Sequence, residues 1–464
     1  MIKENTAQNI LRNENIREKE VLNQVVEMAK PILEKSHLLN NKFLIDNDDV
    51  KIVEQVIQTI FPVDSKNCLT HAHLQLTAKF GAIFAQKLGL NPNEIKILML
   101  AHDDGRFITN RWLRNEILAG SIFKKLGIRK DLMEKATPIS WDIPEEISPQ
   151  SVENYLNSLS DEQKVVIMAD ICGKRKFDDW GILPFDKVMD YHNQQRGKEK
   201  QNSLENRSSS FPSERAISDK LIGFYGEVYK GIKDWFGQKG VDVEEIRKNI
   251  LEEEKNSPVE TIIFDVGNVL VPNPDPLIID NFANECDLDP EIVKQALASE
   301  VKPFQTGNIN EEKFWKNFEE KLGKSLPQDY KKMILSGLSE KIKPEMIELL
   351  DSLKKKQYKL AILTDTIPPH RDYLQKEDFV DYFNTYMTSI DFKVTKDDPV
   401  AFACVLAKLG VSPSSCVFID DKTVYLENAN KLGIKTINYK ITDPIADLEN
   451  NLKEKGIKIS SVQN

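Results

Sequence analysis

The sequence predicts a multidomain chain: an all-α helical bundle followed by an α/β domain with a parallel sheet and a small helical cap. Three observations predict it. At 464 residues the chain exceeds what one hydrophobic core usually holds. Before residue 255, apolar residues recur at helical spacing and no run alternates as a strand does. After residue 258, short continuous apolar runs are separated by helical segments, the pattern of strands buried on both faces of a parallel sheet.

The elements follow in order. IREKEVLNQVVEMAKPILEK (16–35) has helical spacing, with a break or kink expected at Pro31. LQLTAKFGAIFAQKLG (74–89) is an apolar helix stopped by glycine. Asn91-Pro92 opens the next helix as N-cap and first helical residue. VVIMADICGK (165–174) is a further buried helix. The polar, serine-rich stretch 196–215 reads as a mobile loop. Beyond it, Ile217, Leu221, Phe224, Tyr225, Val228, Ile232, Trp235 and Phe236 share one helical face, so this helix is expected to pack back on the bundle. LEEEKNSP (251–258), a charge run ending in Ser-Pro, is expected to be the linker between domains at 1–250 and 259–464. VETIIFDV, YKLAILTD, CVFID and KTINY are the expected strands. The core should comprise 259–271 and 346–455. Residues 272–345 are too many for one crossover and should form the cap.

Composition narrows the classes. An apolar content of 40% and charged content of 29% fit folded soluble domains. The net charge of −10 argues against a general nucleic-acid binder. The polar start MIKENTAQNI lacks a signal-peptide core, and IKILMLA (95–101) is too short to span a bilayer, so a cytoplasmic location without membrane contact is expected. The cysteines (Cys68, Cys172, Cys286, Cys404, Cys416) are odd in number and form no CxxC pair. They read as small buried hydrophobes, not as a disulfide or zinc framework. Nothing in the sequence gives the oligomeric state.

His73, His102-Asp103 and Asp170 border apolar helices, where burying polar groups is costly unless they are paired. Converging from three helices, they suit one divalent metal of the Mn, Fe, Co, Ni or Zn type, able to activate water. A lone His-Asp pair reads equally well as a helix cap with a satisfied histidine; the combination carries the metal reading. HLQLTAKFGAIFAQKLG (73–89), AHDDGRF (101–107) and MADICGKRK (168–176) resemble the H…HD…D pattern of the HD superfamily of phosphohydrolases, over roughly residues 60–190. The resemblance implies hydrolysis of a nucleotide-type phosphate. No histidine lies between His102 and His192, which implies a single metal. Of His71 and His73, the helical register favours His73 as ligand. His71 is expected to contact substrate or be exposed. Asp104 is a candidate for proton transfer and Arg106 for phosphate binding, with a helix-end salt link as the other reading. Lys174 and Arg175, just past Asp170, could also face a phosphate, but read more readily as a solvated basic turn.

In the second half, Asp265 follows a strand, at the sheet end where open α/β folds bind ligands. An aspartate there can attack phosphorus. Asp420-Asp421, ending another strand, would complete a magnesium site with it. Thr364 could bond a phosphoryl oxygen, and Lys396 could offset charge. IIFDVGNVLV, ILTDT, TKDDPVAF and VFIDDKTVYLENANKLGI resemble, in order, the motifs of haloacid dehalogenase-like (HAD) hydrolases, over about residues 258–455. The resemblance implies a Rossmann-like α/β core, an aspartyl-phosphate on Asp265, magnesium also held by the Gly267 carbonyl, and a phosphate pocket of Asn268, Thr364 and Lys396. Three positions depart from the pattern. Gly267 stands where many members carry a second aspartate as general acid. Asp365 replaces a common asparagine, and Asp397 a common proline. With Asp398, Asp420 and Asp421 they are expected to put much negative charge near the phosphate pocket. A dehalogenase needs no magnesium, which leaves Asp420-Asp421 without a role. The expected function is a bifunctional metal-dependent phosphohydrolase acting on nucleotides or small phosphorylated metabolites. The alternative is an active HD half with the HAD-like half as a ligand-binding regulatory module.

Overall fold

The computed structural model describes residues 24, 27–39, 44–102, 126–128, 132, 135, 148–174, 182, 212–338 and 341–459. They form two compact units. The second unit takes up Glu252 onward and also the segment Val63–Cys68.

The first unit is helical throughout its longer elements: α1 (Asn47–Ile60), α2 (Cys68–Leu88), α3 (Pro92–Ala101), α4 (Pro149–Ser158), α5 (Asp161–Cys172), α6 (Pro212–Gln238) and α7 (Val243–Asn256). Helix ends follow local chemistry. Asp46 caps α1 by accepting from the Asp48 and Asp49 amides, and Asn91 caps α3 with Pro92 in its first turn. Gly89, at φ 73°, takes the left-handed conformation that ends α2. Phe80, Phe84, Leu98, Met168, Phe224, Val228, Ile232 and Phe236 share one apolar core, so α6 does pack on the bundle.

Several boundaries differ from expectation. The backbone is helical over 27–33, so Pro31 does not end that helix. Helix α2 starts at Cys68, which puts His71 and His73 inside it. Helix α6 begins at Pro212, so the end of the expected loop is helical; 196–211 lie outside the described residues. Helix α7 runs to Asn256, so most of the expected linker is helix. Its Glu, Lys and Leu residues are good helix formers, and their propensity outweighs the charge repulsion.

The second unit contains a five-stranded parallel sheet of order β3-β2-β1-β4-β5. The strands are β1 (Thr261–Phe264), β2 (Lys359–Thr364), β3 (Thr385–Thr388), β4 (Cys416–Asp420) and β5 (Lys435–Asn438). Strand β1 is central; the chain builds outward on one side through β2 and β3, then crosses to β4 and β5. The carboxyl ends beside β1 are therefore the topological switch point, where such sheets bind ligands. Strand β3 was not expected from sequence. Helix α12 (Pro344–Lys355) seals one face through Met346, Leu349, Leu350 and Leu353.

Between β1 and α12 lie α8 (Asp275–Cys286), α9 (Pro290–Gln305), α10 (Glu311–Leu322) and the short α11 (Tyr330–Met333). They enclose a separate aromatic core of Phe282, Phe304, Phe314, Trp315 and Phe318, with Phe304 and Phe314 stacked at 4.4 Å. This is the expected helical cap. Ile367, just past β2, joins its core. Lys302 of α9 pairs with Asp397, and His370 bonds the Ile334 carbonyl at 2.6 Å. The cap thus meets the loops at the carboxyl ends of the strands.

Candidate active sites

In the second unit the ladder carries Asp265 to the end of β1, its amide donating to the Ile419 carbonyl at 2.9 Å. Thr364 closes β2 and Asp420 closes β4, the strands on either side. The Lys396 ammonium lies 2.8 Å from Asp265 Oδ1 and 2.6 Å from Asp420 Oδ2, and is 1% exposed. Asp420 Oδ1 accepts from the Lys422 amide at 2.8 Å. Burial would depress the Lys396 pKa, but Asp265 and Asp420 hold it well above the ordinary lysine range. Burial, together with the nearby Asp265, pushes the Asp420 carboxyl up to about 7 in the metal-free protein.

Ligand oxygens of Asp265, Asp420 and Asp421 all lie within 4.8 Å of one another. Asp421 Oδ1 is buried without a hydrogen-bond partner. A buried carboxylate oxygen left without a donor is costly. A hard divalent cation taking oxygen ligands removes that cost, so the residues present fit magnesium. Three carboxylates against one ammonium leave net negative charge for such an ion to balance.

Asn268 is engaged with the site itself. Its Nδ2 donates to Asp421 Oδ2 at 3.1 Å, and its Oδ1 accepts from the Asn273 amide at 3.1 Å. These bonds let Asn268 position Asp421, and neither uses the second Nδ2 hydrogen; its φ of 59° is a left-handed conformation that asparagine tolerates. The expected crowding of negative charge is also smaller. Asp397 is neutralised by Lys302 and bonded to Thr395, while Asp398 accepts from the Val400 amide at 2.9 Å at the start of the next helix.

Two contributors have no signal in the sequence. Tyr425 lies under the Lys396 ammonium at 4.9 Å. Buried Asn428 donates to the Lys396 and Asp397 carbonyls at 3.1 and 2.8 Å, fixing the loop that carries the lysine.

Asp365 accepts the Lys396 amide with both carboxylate oxygens at 3.1 Å. Burial, offset in part by Lys396 and reinforced by Asp265, pushes its carboxyl up to about 6. Between about pH 4 and 6 the folded protein therefore keeps a proton that the unfolded chain has lost. Stability falls as pH rises through that window. Asp365→Asn is expected to stabilise the metal-free protein by about 1–3 kcal/mol at pH 8 and not at pH 4. Denaturant midpoints at the two pH values measure this.

In the first unit, α2, α3 and α5 bring His73, His102 and Asp170 together, with ligand atoms within 4.8 Å. His73 Nε2 and His102 Nε2 lie 3.0 and 3.2 Å from Asp170 Oδ1. The other ring nitrogens face backbone carbonyls: His73 Nδ1 to Gly173 at 3.1 Å and His102 Nδ1 to Met99 at 2.6 Å. A carbonyl only accepts, so each Nδ1 carries hydrogen. In the neutral rings both Nε2 lone pairs then point at a carboxylate oxygen. A shared cation relieves that arrangement, and orientation of histidines by carbonyls is how metal-ligating imidazoles are held. The donor set fits a divalent transition metal. Gly173 is needed for the close approach, since a Cβ there would lie 2.4 Å from Thr77 Cγ2.

His71 is turned elsewhere, its Nε2 bonded to the Phe61 carbonyl at 2.8 Å. It is buried, not exposed as one expectation had it. Lys174 is not solvated: it is buried, with its ammonium 2.6 Å from Asp170 Oδ1. Burial alone would raise the Asp170 pKa; Lys174 and the histidines instead hold it well below the usual range. Asp103, Asp104, Arg106 and Arg175 lie outside the described residues.

Residues 259–433 match the family model of haloacid dehalogenase-like hydrolases. The C-terminal half of the chain therefore carries a hydrolase domain of the haloacid dehalogenase-like family. A phosphorylated carbohydrates phosphatase of Thermotoga maritima is 33% identical over 110 residues, 23% of this chain and 50% of that protein. Acyl-CoA dehydrogenase family member 10 of Mus musculus is 26% identical over 189 residues, 38% of this chain and 17% of that protein. The chain thus spans half or less of the length of these relatives. Among solved structures, a HAD family enzyme of Bacteroides thetaiotaomicron in complex with magnesium and inorganic phosphate is 24% identical, covering 41% of this chain and 98% of that one, with a TM-score of 0.36. No helix among the described residues is long and apolar enough to cross a membrane.

Proposed function

We propose that the C-terminal domain is a magnesium-dependent phosphohydrolase that dephosphorylates a small phosphorylated metabolite through Asp265. The observation that carries this reading is the buried Lys396 ammonium shared between Asp265 and Asp420, beside an Asp421 oxygen that lacks a partner. Asp265, Asp420, Asp421 and the Gly267 carbonyl would hold magnesium, which supplies charge neutralisation between carboxylate and phosphate. Asp265 attacks phosphorus, the bond from phosphorus to the leaving oxygen breaks, and an aspartyl-phosphate forms; water then releases inorganic phosphate. Lys396 pairs with Asp265 and aims it. Thr364, buried at the tip of β2, donates to a phosphoryl oxygen. The Thermotoga relative's name, a phosphatase of phosphorylated carbohydrates, supports the same substrate class. Magnesium-dependent phosphate release by the full chain, lost in Asp265→Asn, tests the reading. Turnover indifferent to Asp265 would sink it.

Gly267 bears on the leaving group. A Cβ placed there meets nothing within 4 Å, so an acidic side chain has room. Gly267→Asp is expected to speed hydrolysis of alkyl phosphates, whose leaving oxygen needs a proton, by about 10-fold or more. Nitrophenyl phosphate, whose leaving group needs none, should change little. Steady-state rates on the two substrates make the comparison.

A second reading concerns the N-terminal half: an HD-type phosphohydrolase with one transition metal on His73, His102, Asp103 and Asp170, acting on a nucleotide-type phosphate. The two Nε2 lone pairs converging on Asp170 support it. With both sites active the chain is a bifunctional cytoplasmic phosphohydrolase; with only this one, the HAD-like domain is a regulatory module. His102→Ala is expected to abolish binding of one transition-metal ion per chain without affecting the Asp265 activity. Metal analysis after dialysis, run beside a phosphatase assay, checks both halves of that statement.

A further inference from the structure

We propose that Lys174 is the resident cation of the N-terminal site: its ammonium occupies Asp170 in the metal-free protein, and a divalent ion must displace it to bind. The inference rests on the reading of His73, His102 and Asp170 as a metal site.

Lys174 stands one turn beyond Asp170, at the i,i+4 spacing that lets two side chains meet. A lysine just past a helix end would ordinarily extend its stem and keep its charge in water. Here the residue is only 6% exposed. Burying an ammonium is costly without a partner, and its partner is Asp170 Oδ1 at 2.6 Å. The same oxygen receives both histidine Nε2 atoms, at 3.0 and 3.2 Å. In the neutral rings those atoms carry lone pairs, so of these three nitrogens Lys174 is the one that donates to the oxygen. An ion held by the two imidazoles and Asp170 would take the lone pair that now faces Lys174. It would also repel the ammonium at short range in a poorly solvated place. Metal and Lys174 therefore compete for one atom. Without metal, the lysine keeps the half-buried Asp170 from being an unpaired charge.

The test is titration of the full chain with manganese(II), followed by calorimetry. Lys174→Met keeps the apolar stem and removes the charge. It should bind manganese about 10- to 100-fold more tightly than the unaltered chain, the usual range for groups acting next to ligands. Equal or weaker binding overturns the proposal. A second readout needs no variant: manganese should expose Lys174 to an amine-acylating reagent, scored by peptide mass spectrometry. Labelling unchanged by manganese also overturns it. Titration of His102→Ala separates the two levels of inference. An unchanged number of manganese ions bound per chain after this change removes the metal-site reading, since the Asp265 site can take manganese in both proteins. Binding that is lost there, but not tightened in Lys174→Met, removes only the role of Lys174.

Discussion

Asp265→Asn is expected to reduce magnesium-dependent phosphate release by roughly 10⁴-fold or more, the scale seen when a covalent nucleophile is removed. The amide keeps the shape of the site and can still bond Lys396. It cannot attack phosphorus as an anion. Lys396 would then face Asp420 alone, so the variant should fold and still bind magnesium more weakly through Asp420 and Asp421. Steady-state phosphate release at saturating substrate measures the loss. The substitution spares the N-terminal half, so any nucleotide hydrolysis there should persist in the same preparation.

Lys396→Met is the substitution with the largest expected cost in stability. Lys396 is 1% exposed and stands between Asp265 and Asp420, which are themselves buried. Removing the ammonium leaves two carboxylates facing each other without a counter-charge. Breaking a buried pair in this way costs about 3–5 kcal/mol. The cost should depend on conditions. Asp420 is already pushed up to about 7 with the lysine present. Without it, folding favours the protonated carboxyls still more strongly. The penalty is therefore largest at pH 8 and shrinks as pH falls towards 5, because protonation removes the buried charge. Magnesium should recover part of the loss at pH 8 by binding the folded state. Denaturant midpoints with chelator and with magnesium, at both pH values, give the four numbers needed.

Sequence legibility followed chemical oddity. Asp265 and Asp420-Asp421 stood out because charged residues directly at the ends of apolar strands demand a reason, whereas Lys396, in a turn, was carried by the motif resemblance. The four strands with continuous apolar runs were equally plain. Strand β3 was not, because TYMT sits at the sheet edge with Thr385 and Tyr386 only half-buried, leaving no apolar run to read. Asn268 has a second role that its place beside a nucleophile does not signal: only the fold reveals its bond to Asp421. Tyr425 and Asn428 lie on an ordinary polar helix, and nothing in their spacing says that Lys396 rests on one while its loop is fixed by the other. Lys174 had a signal that went unused. Its i,i+4 spacing from Asp170, just past the helix end, marked a pair, yet its place beside Arg175 made it look like a solvated turn. Gly173 carried no reading of its own, and only the fold shows that its missing side chain lets its carbonyl reach His73.

The central claim is that phosphate passes through Asp265. A rapid acid quench of the full chain with magnesium and excess phosphate ester, followed by peptide mass spectrometry, tests it most directly. A phosphoryl adduct on Asp265 during turnover, absent from Asp265→Asn, is the predicted result. Turnover at full rate with Asp265 unmodified at every quench time, and undiminished in Asp265→Asn, would contradict it.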